Sequence, residues 1–161
     1  MRGARCDEHD RGVRTVTQLR VLVASHDPAN ALQITDRLGN TGFDTIGGCV
    51  DAARTIDVAI AARPDLCVLD LPVRASGIDI AGQIRSLLPK TGIVLLARAP
   101  EARDLLAAMA VGADAYVSRE SALRRLPALL LSVAGGQTAY PGELVQALLS
   151  TTTPTQRRSE N

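Results

Sequence analysis

An aspartate closes an apolar run in PDLCVLDLPV, where Asp70 follows Leu66 to Leu69. A carboxylate at the rim of a low-dielectric wall can attack phosphorus and form an acyl phosphate; the plainer alternative is a carboxylate that caps the next loop. Three other places put polar residues just after apolar runs: Ser25, His26 and Asp27 after RVLVA, Arg98 after GIVLLA (which ends in Ala97), and Arg119 after AYVS. Arg98 and Arg119 could meet an anion or pair with Asp70. His26 could titrate near neutral pH, although an exposed loop histidine is the commoner case. No Ser-His-Asp or paired-carboxylate set recurs at these positions, so they do not suggest a hydrolase or another enzyme. Neither G-x-G-x-x-G nor G-x-x-x-x-G-K-[ST] occurs, so nucleotide binding through those loops has no support. Cys6 and His9 have C-x-x-H spacing without a second pair, which does not make a zinc site. Cys67, inside an apolar run, reads as a buried thiol rather than a nucleophile.

Five short runs must carry these residues: Arg20–Ala24, Phe43–Gly47, Leu66–Asp70, Gly92–Ala97 and Ala115–Ser118. Three are apolar throughout, as strands covered on both faces of a parallel sheet are. The second, with Asp44 between Phe43 and Thr45, reads as an edge. Segments of helical period lie between them. Pro28 opens the first and Gly39-Asn40 stops it, with Ala31, Ile34 and Leu38 inward. Asp51 caps the second, which presents Ala53, Ile56 and Ile60 and ends at Pro64. The third presents Ile80, Ile84 and Leu87 before Pro89; the fourth, from Glu101, presents Leu105, Ala108 and Met109. In the fifth, from Ser121 to Gly135-Gly136, Pro127 predicts a regular helix starting only near Leu126. Five βα units imply a doubly wound α/β sandwich with right-handed crossovers, whose chemistry belongs at the carboxyl ends of the strands.

The 161 residues amount to about one domain. Residues 1–17 read as a flexible leader, 18–136 as the folded unit, and 137–161 as a tail with a short helix at 142–149. With 46% hydrophobic and 22% charged residues, the chain is neither disordered nor fibrous. A net charge of +1 gives no overall pull toward nucleic acid or an anionic membrane. The doublets Arg124-Arg125 and Arg157-Arg158 lack interleaved aromatics and read as solvated surface. No apolar run approaches a membrane span. The N-terminus lacks the apolar stretch of a signal peptide, and three widely spaced cysteines suit a reduced, cytoplasmic protein.

The blocks RVLVASHDP, PDLCVLDLPVRASGIDI, VLLARAP and VGADAYVSRE, in this order and at these separations, resemble the receiver domain of bacterial response regulators over residues 20 to 135. VAGGQTAYPGEL is similar to the segment after the receiver in the NarL/FixJ subfamily, which leads into a helix-turn-helix domain. The resemblance implies a flavodoxin-like (CheY-like) five-stranded parallel sheet of order 2-1-3-4-5. It also implies a phosphorelay in which a histidine kinase phosphorylates the strand-3 aspartate with Mg²⁺, reorganising the face of helix 4, strand 5 and helix 5. On that face Leu105, Ala108, Tyr116 and Leu123 would lie near the surface. Carried over by resemblance, Asp70 is the phosphoacceptor and Tyr116 the switch aromatic. The metal-anchoring acidic pair falls on Ser25 and His26, with Asp27 one place late. The strand-4 hydroxyl residue falls on Ala97, and the lysine after strand 5 on Arg119. The loop after Asp70 is one residue short, with Pro72 and Arg74 in it.

Mg²⁺ wants oxygen ligands, usually including one or two carboxylates. Asp70 with a backbone carbonyl near Pro72 is a poor set, and imidazole suits softer metals. Phosphoryl transfer rests on positioning and charge neutralisation. Losing both the metal and the strand-4 hydroxyl would cost several orders of magnitude in rate, at about 10²-fold each. The expectation is therefore an atypical receiver that binds no Mg²⁺ and regulates by protein contact without phosphorylation, with an Asp70–Arg119 ion pair at rest. Its partner would be a histidine kinase, a downstream regulator or a second copy. The alternatives are a phosphorylatable Asp70, a truncated LuxR-type transcriptional regulator, or a sensor of anionic small molecules using Arg98 and Arg119. The twenty residues after Pro141 are too few for a helix-turn-helix, so direct DNA binding by this chain is not expected.

Overall fold

The computed structural model describes residues 18–49 and 51–152. The Cys6/His9 pair, the leader and the Arg157-Arg158 doublet lie outside them. Five strands, β1 (Arg20–Ser25), β2 (Asp44–Cys49), β3 (Leu66–Asp70), β4 (Gly92–Ala97) and β5 (Ala115–Ser118), pair in parallel in the order β2-β1-β3-β4-β5. Between them run α1 (Pro28–Leu38), α2 (Ala52–Ala62), α3 (Ile78–Leu87) and α4 (Ala102–Ala110); α5 (Arg119–Arg124), α6 (Leu126–Ala134) and α7 (Gly142–Thr152) follow β5. The register Val21↔Leu66 and Ser25↔Asp70 brings the ends of β1 and β3 level. The order changes direction beside β1 and β3, which is where a doubly wound sheet opens a crevice.

Alternate residues of the central strands feed two cores, as strand geometry requires. Leu22, Cys67, Leu69, Ile93 and Leu95 meet α2, α3 and α4, while Val21, Val23, Val68, Val94 and Leu96 meet α1, α5 and α6. With few bulky side chains, the layers must approach closely. A Cβ on Gly92 would lie 2.6 Å from Leu66 Cδ2 and 2.8 Å from Val133 Cγ1, so only glycine lets α6 sit there.

The local signals act as their chemistry suggests. Pro28 occupies the first turn of α1, and the Asp27 carboxylate caps it by accepting the Ala29 amide at 2.9 Å. Asp51 caps α2 through the Arg54 amide at 2.8 Å. Before Pro64, Arg63 takes φ 48°, leaving the right-handed region that the proline disfavours. The segment around Pro127 splits into α5 and α6, with Pro127 in the first turn of α6.

Four expected core positions are corrected. Ala53, Ile60 (46% exposed), Leu87 (53%) and Met109 (46%) face outward. The buried lines run instead through Thr55 and Ala59 in α2, Ile80, Ala81 and Ile84 in α3, and Leu105 and Ala108 in α4. Alanine at the closest approach lets each helix sit near the sheet, which turns the flanking residues away. The tail helix reaches Thr152, three residues beyond the expected Leu149.

Candidate functional site

β3 delivers Asp70 to the sheet's rim with its residue only 8% exposed. Its Oδ2 atom collects two donors: the Ser25 hydroxyl at 3.1 Å and Arg119 Nε at 3.3 Å. Ser25 is fully buried, and its oxygen also accepts the Asp27 amide at 3.2 Å. A hydroxyl has one proton to give, and the charged carboxylate is the stronger acceptor. Arg119, the first residue of α5, is steadied by Gln33 on α1, whose Oε1 accepts from Nη2 at 2.8 Å. β1, β3, α1 and α5 thus converge on one carboxylate.

The other expected site residues are not drawn into this cluster. His26 and Arg98 are exposed, and neither takes part in the hydrogen bonds of Asp70. The Asp27 carboxylate is turned into its own helix. Ala97 ends β4 at 5% exposure, paired in register with Ser118, and its methyl group offers no donor. The Pro72 carbonyl accepts the Ser76 and Gly77 amides, each at 3.0 Å, inside a π-helical turn at Val73–Gly77. One carboxylate, one serine hydroxyl and one guanidinium do not fit the oxygen-rich, anionic donor set of Mg²⁺. Among the described residues no three His, Cys, Asp or Glu side chains gather as a metal would need.

A second cluster lies across the rim. Tyr116 is fully buried, and its hydroxyl accepts the Glu101 amide at 3.0 Å, just before α4. Burial raises its pKa above the ordinary phenol range. Arg74, from the turn after β3, reaches the same end of α4. It pairs with Asp104 at 2.7 Å and with Glu101, which Arg103 also approaches at 3.6 Å. Sequence reasoning placed Arg74 in the loop but did not assign it this partner. The available signal was the i, i+3 spacing of Glu101 and Asp104 at a helix start, where acidic side chains are favoured. Gln33 had no comparable signal, since its role depends on where α5 begins.

Leu105, Ala108 and Tyr116, expected near the face of α4, β5 and α5, are fully buried and so lie beneath it rather than on it. Leu105 and Ala108 point down from α4 to the sheet, and Tyr140, Leu144, Val145 and Leu148 pack against the same core. Leu123 is half-buried. Cys67 is fully buried, and burial pushes its thiol up to about 12, which makes it inert.

The sheet order, the aspartate at the tip of β3 and the buried tyrosine of β5 coincide with a sequence match. Residues 21–131 match the family described as the response regulator receiver domain. The chain belongs to this family. Receivers are regulatory modules of two-component signalling. Among curated relatives, the transcriptional regulatory protein PdtaR of Mycobacterium tuberculosis is 31% identical over 130 residues, covering 78% of this chain and 62% of the relative. A putative transcriptional regulator of Pseudomonas aeruginosa is 26% identical, covering 76% and 59%. The chain therefore spans about three-fifths of the length of these relatives. A two-component response regulator of the LuxR family from Aurantimonas superposes with a TM-score of 0.74 at 20% identity, covering 84% of this chain and 98% of that one. The receiver of the putative response regulator NarL from Mycobacterium tuberculosis superposes at 0.68 with 24% identity, covering 74% and 98%. These likenesses agree with the flavodoxin-like sheet. No helix among the described residues is long and apolar enough to cross a membrane.

Proposed function

We propose that this receiver regulates by docking on a protein partner in the cytoplasm, and that it does so without phosphorylation of Asp70 and without Mg²⁺. The reading is carried by the placing of Arg119 Nε and Ser25 Oγ on a single oxygen of Asp70. A guanidinium there supplies the positive charge that a metal and lysine would otherwise bring, and it does so at rest. An incoming phosphoryl group would have to displace it and would find no hydroxyl at Ala97 to receive its oxygens. The partner is a histidine kinase, a downstream regulator or a second copy of the chain. The relatives are named as transcriptional regulators, and we assign this chain the receiver's share of such work.

Incubation with acetyl phosphate and Mg²⁺, followed by intact-mass measurement, tests the reading. The expected result is an unchanged mass. A gain of one phosphoryl group, absent in Asp70→Ala, would establish the competing reading, a relay receiver that accepts phosphate at Asp70. One observation favours that competitor: the buried Tyr116 and its bond to the start of α4 keep an output aromatic in place.

A further inference from the structure

After α6 the chain turns at Gly135-Gly136, where Gly136 adopts φ +88°, and runs back along the free side of β5. There Ala139 forms a parallel bridge with Ala115. The Ala139 amide donates to Asp114 O at 2.9 Å, and the Tyr116 amide donates to Ala139 O at 3.0 Å. The Tyr140 hydroxyl then donates to Ala113 O at 2.7 Å. Next, α7 lays Leu144, Val145 and Leu148 against the core that contains Leu105, Ala108 and Tyr116, with α4 as its neighbouring helix. An edge strand invites another strand, and an apolar helix face invites another helix. Here one segment of the same chain supplies both.

We infer that residues 137–152 are a releasable lid, which occupies the α4–β5 docking face intramolecularly and must leave before a partner can use it. Three observations favour a lid over a permanent extension of the sheet and its helical layer. Leu144, Val145 and Leu148 are only partly buried, whereas the residues beneath them are fully so. The segment is anchored unevenly: near its start Ala139 packs against the core shared with α5 and α6 and the Gln137 amide donates to Ser132 O at 3.0 Å, but beyond that an open cleft of about 630 Å³ lies between Ser121, Arg125 and Leu129 on one wall and Tyr140 and Pro141 on the other. Finally, an eleven-residue helix is marginal by itself in water, so α7 lifted off α4 would unravel, and the glycine pair can absorb the movement. Local opening of this kind needs less free energy than global unfolding.

The inference rests on the docking reading for its purpose, but its test needs neither a partner nor a phosphoryl donor. Hydrogen exchange in the full chain compares wild type with Val145→Asp and with Tyr140→Phe. Val145→Asp should speed exchange of the Tyr116, Ala139 and α7 amides at least about ten-fold, while Val68 and Val94 change less than about two-fold; Tyr140→Phe should do the same to a smaller degree. Acceleration of Val68 and Val94 in step with the lid would make residues 137–152 an integral layer and overturn the inference. So would unchanged exchange at Tyr116 and Ala139 in both variants. Either failure leaves the acetyl phosphate result, and the docking reading with it, intact.

Discussion

At the tip of β3, one carboxylate is held by a serine and an arginine, in positions where the family resemblance would put acidic and lysine residues. Across the rim, β5 keeps a buried tyrosine, ties it to the start of α4 and covers it with the chain's own C-terminal segment. The first region is a small set of polar contacts around one carboxylate; the second is a packed apolar layer with residues 137–152 against it. A substitution at one strand end therefore need not disturb the packing at the other, because the two depend on different physics. Ligand charge governs the first, while apolar burial and backbone pairing govern the second.

Tyr116→Ala should damage the second region most. Removing a fully buried aromatic costs about 3–5 kcal/mol, readable as a lowered urea midpoint; Tyr116→Phe should lose only about 1 kcal/mol with the Glu101 bond. At the first region, Ser25→Asp, His26→Asp and Ala97→Thr together should restore acidic ligands and a strand-4 hydroxyl. Labelling by acetyl phosphate should then rise by at least about 10²-fold and become Mg²⁺-dependent. No gain would mean that Arg119 alone blocks the aspartate. Arg119→Ala strips a partly buried carboxylate of its cation. With side chains 23% and 11% exposed, solvent screening reduces the expected loss to about 1–2 kcal/mol. Arg74→Ala, at an exposed ion-pair cluster, should cost less than about 1 kcal/mol, yet should speed exchange at the Glu101 amide and so show whether the two regions communicate through that loop.

A pH titration separates the interior from both regions. Cys67 is raised to about 12 in the folded chain from an ordinary 9.0. Between those values the unfolded chain gives up its thiol proton and the folded chain keeps it, so stability is complete below about pH 9 and falls as pH climbs toward 12. Burial of Tyr116 and Tyr140 acts in the same direction. Urea midpoints should decline across that window, and Cys67→Ala should flatten the decline.

Strand positions, the edge character of β2, the caps Asp27 and Asp51 and the break at Pro127 were all legible in the sequence, because each depends on neighbours within a few residues. The residue types at Ser25, His26, Ala97 and Arg119 are likewise read directly from the chain, whereas their consequence for phosphorylation is the proposal made above. The facing of Ala53, Ile60, Leu87 and Met109 was not legible there, because a helix's rotation is settled by which small residue lets it approach the sheet. Gln33 behind Arg119, Arg74 at the start of α4 and residues 137–152 along β5 were likewise decided only in three dimensions. Each joins elements far apart in the chain, and no local spacing records which side chains the folded sheet will bring within hydrogen-bonding reach.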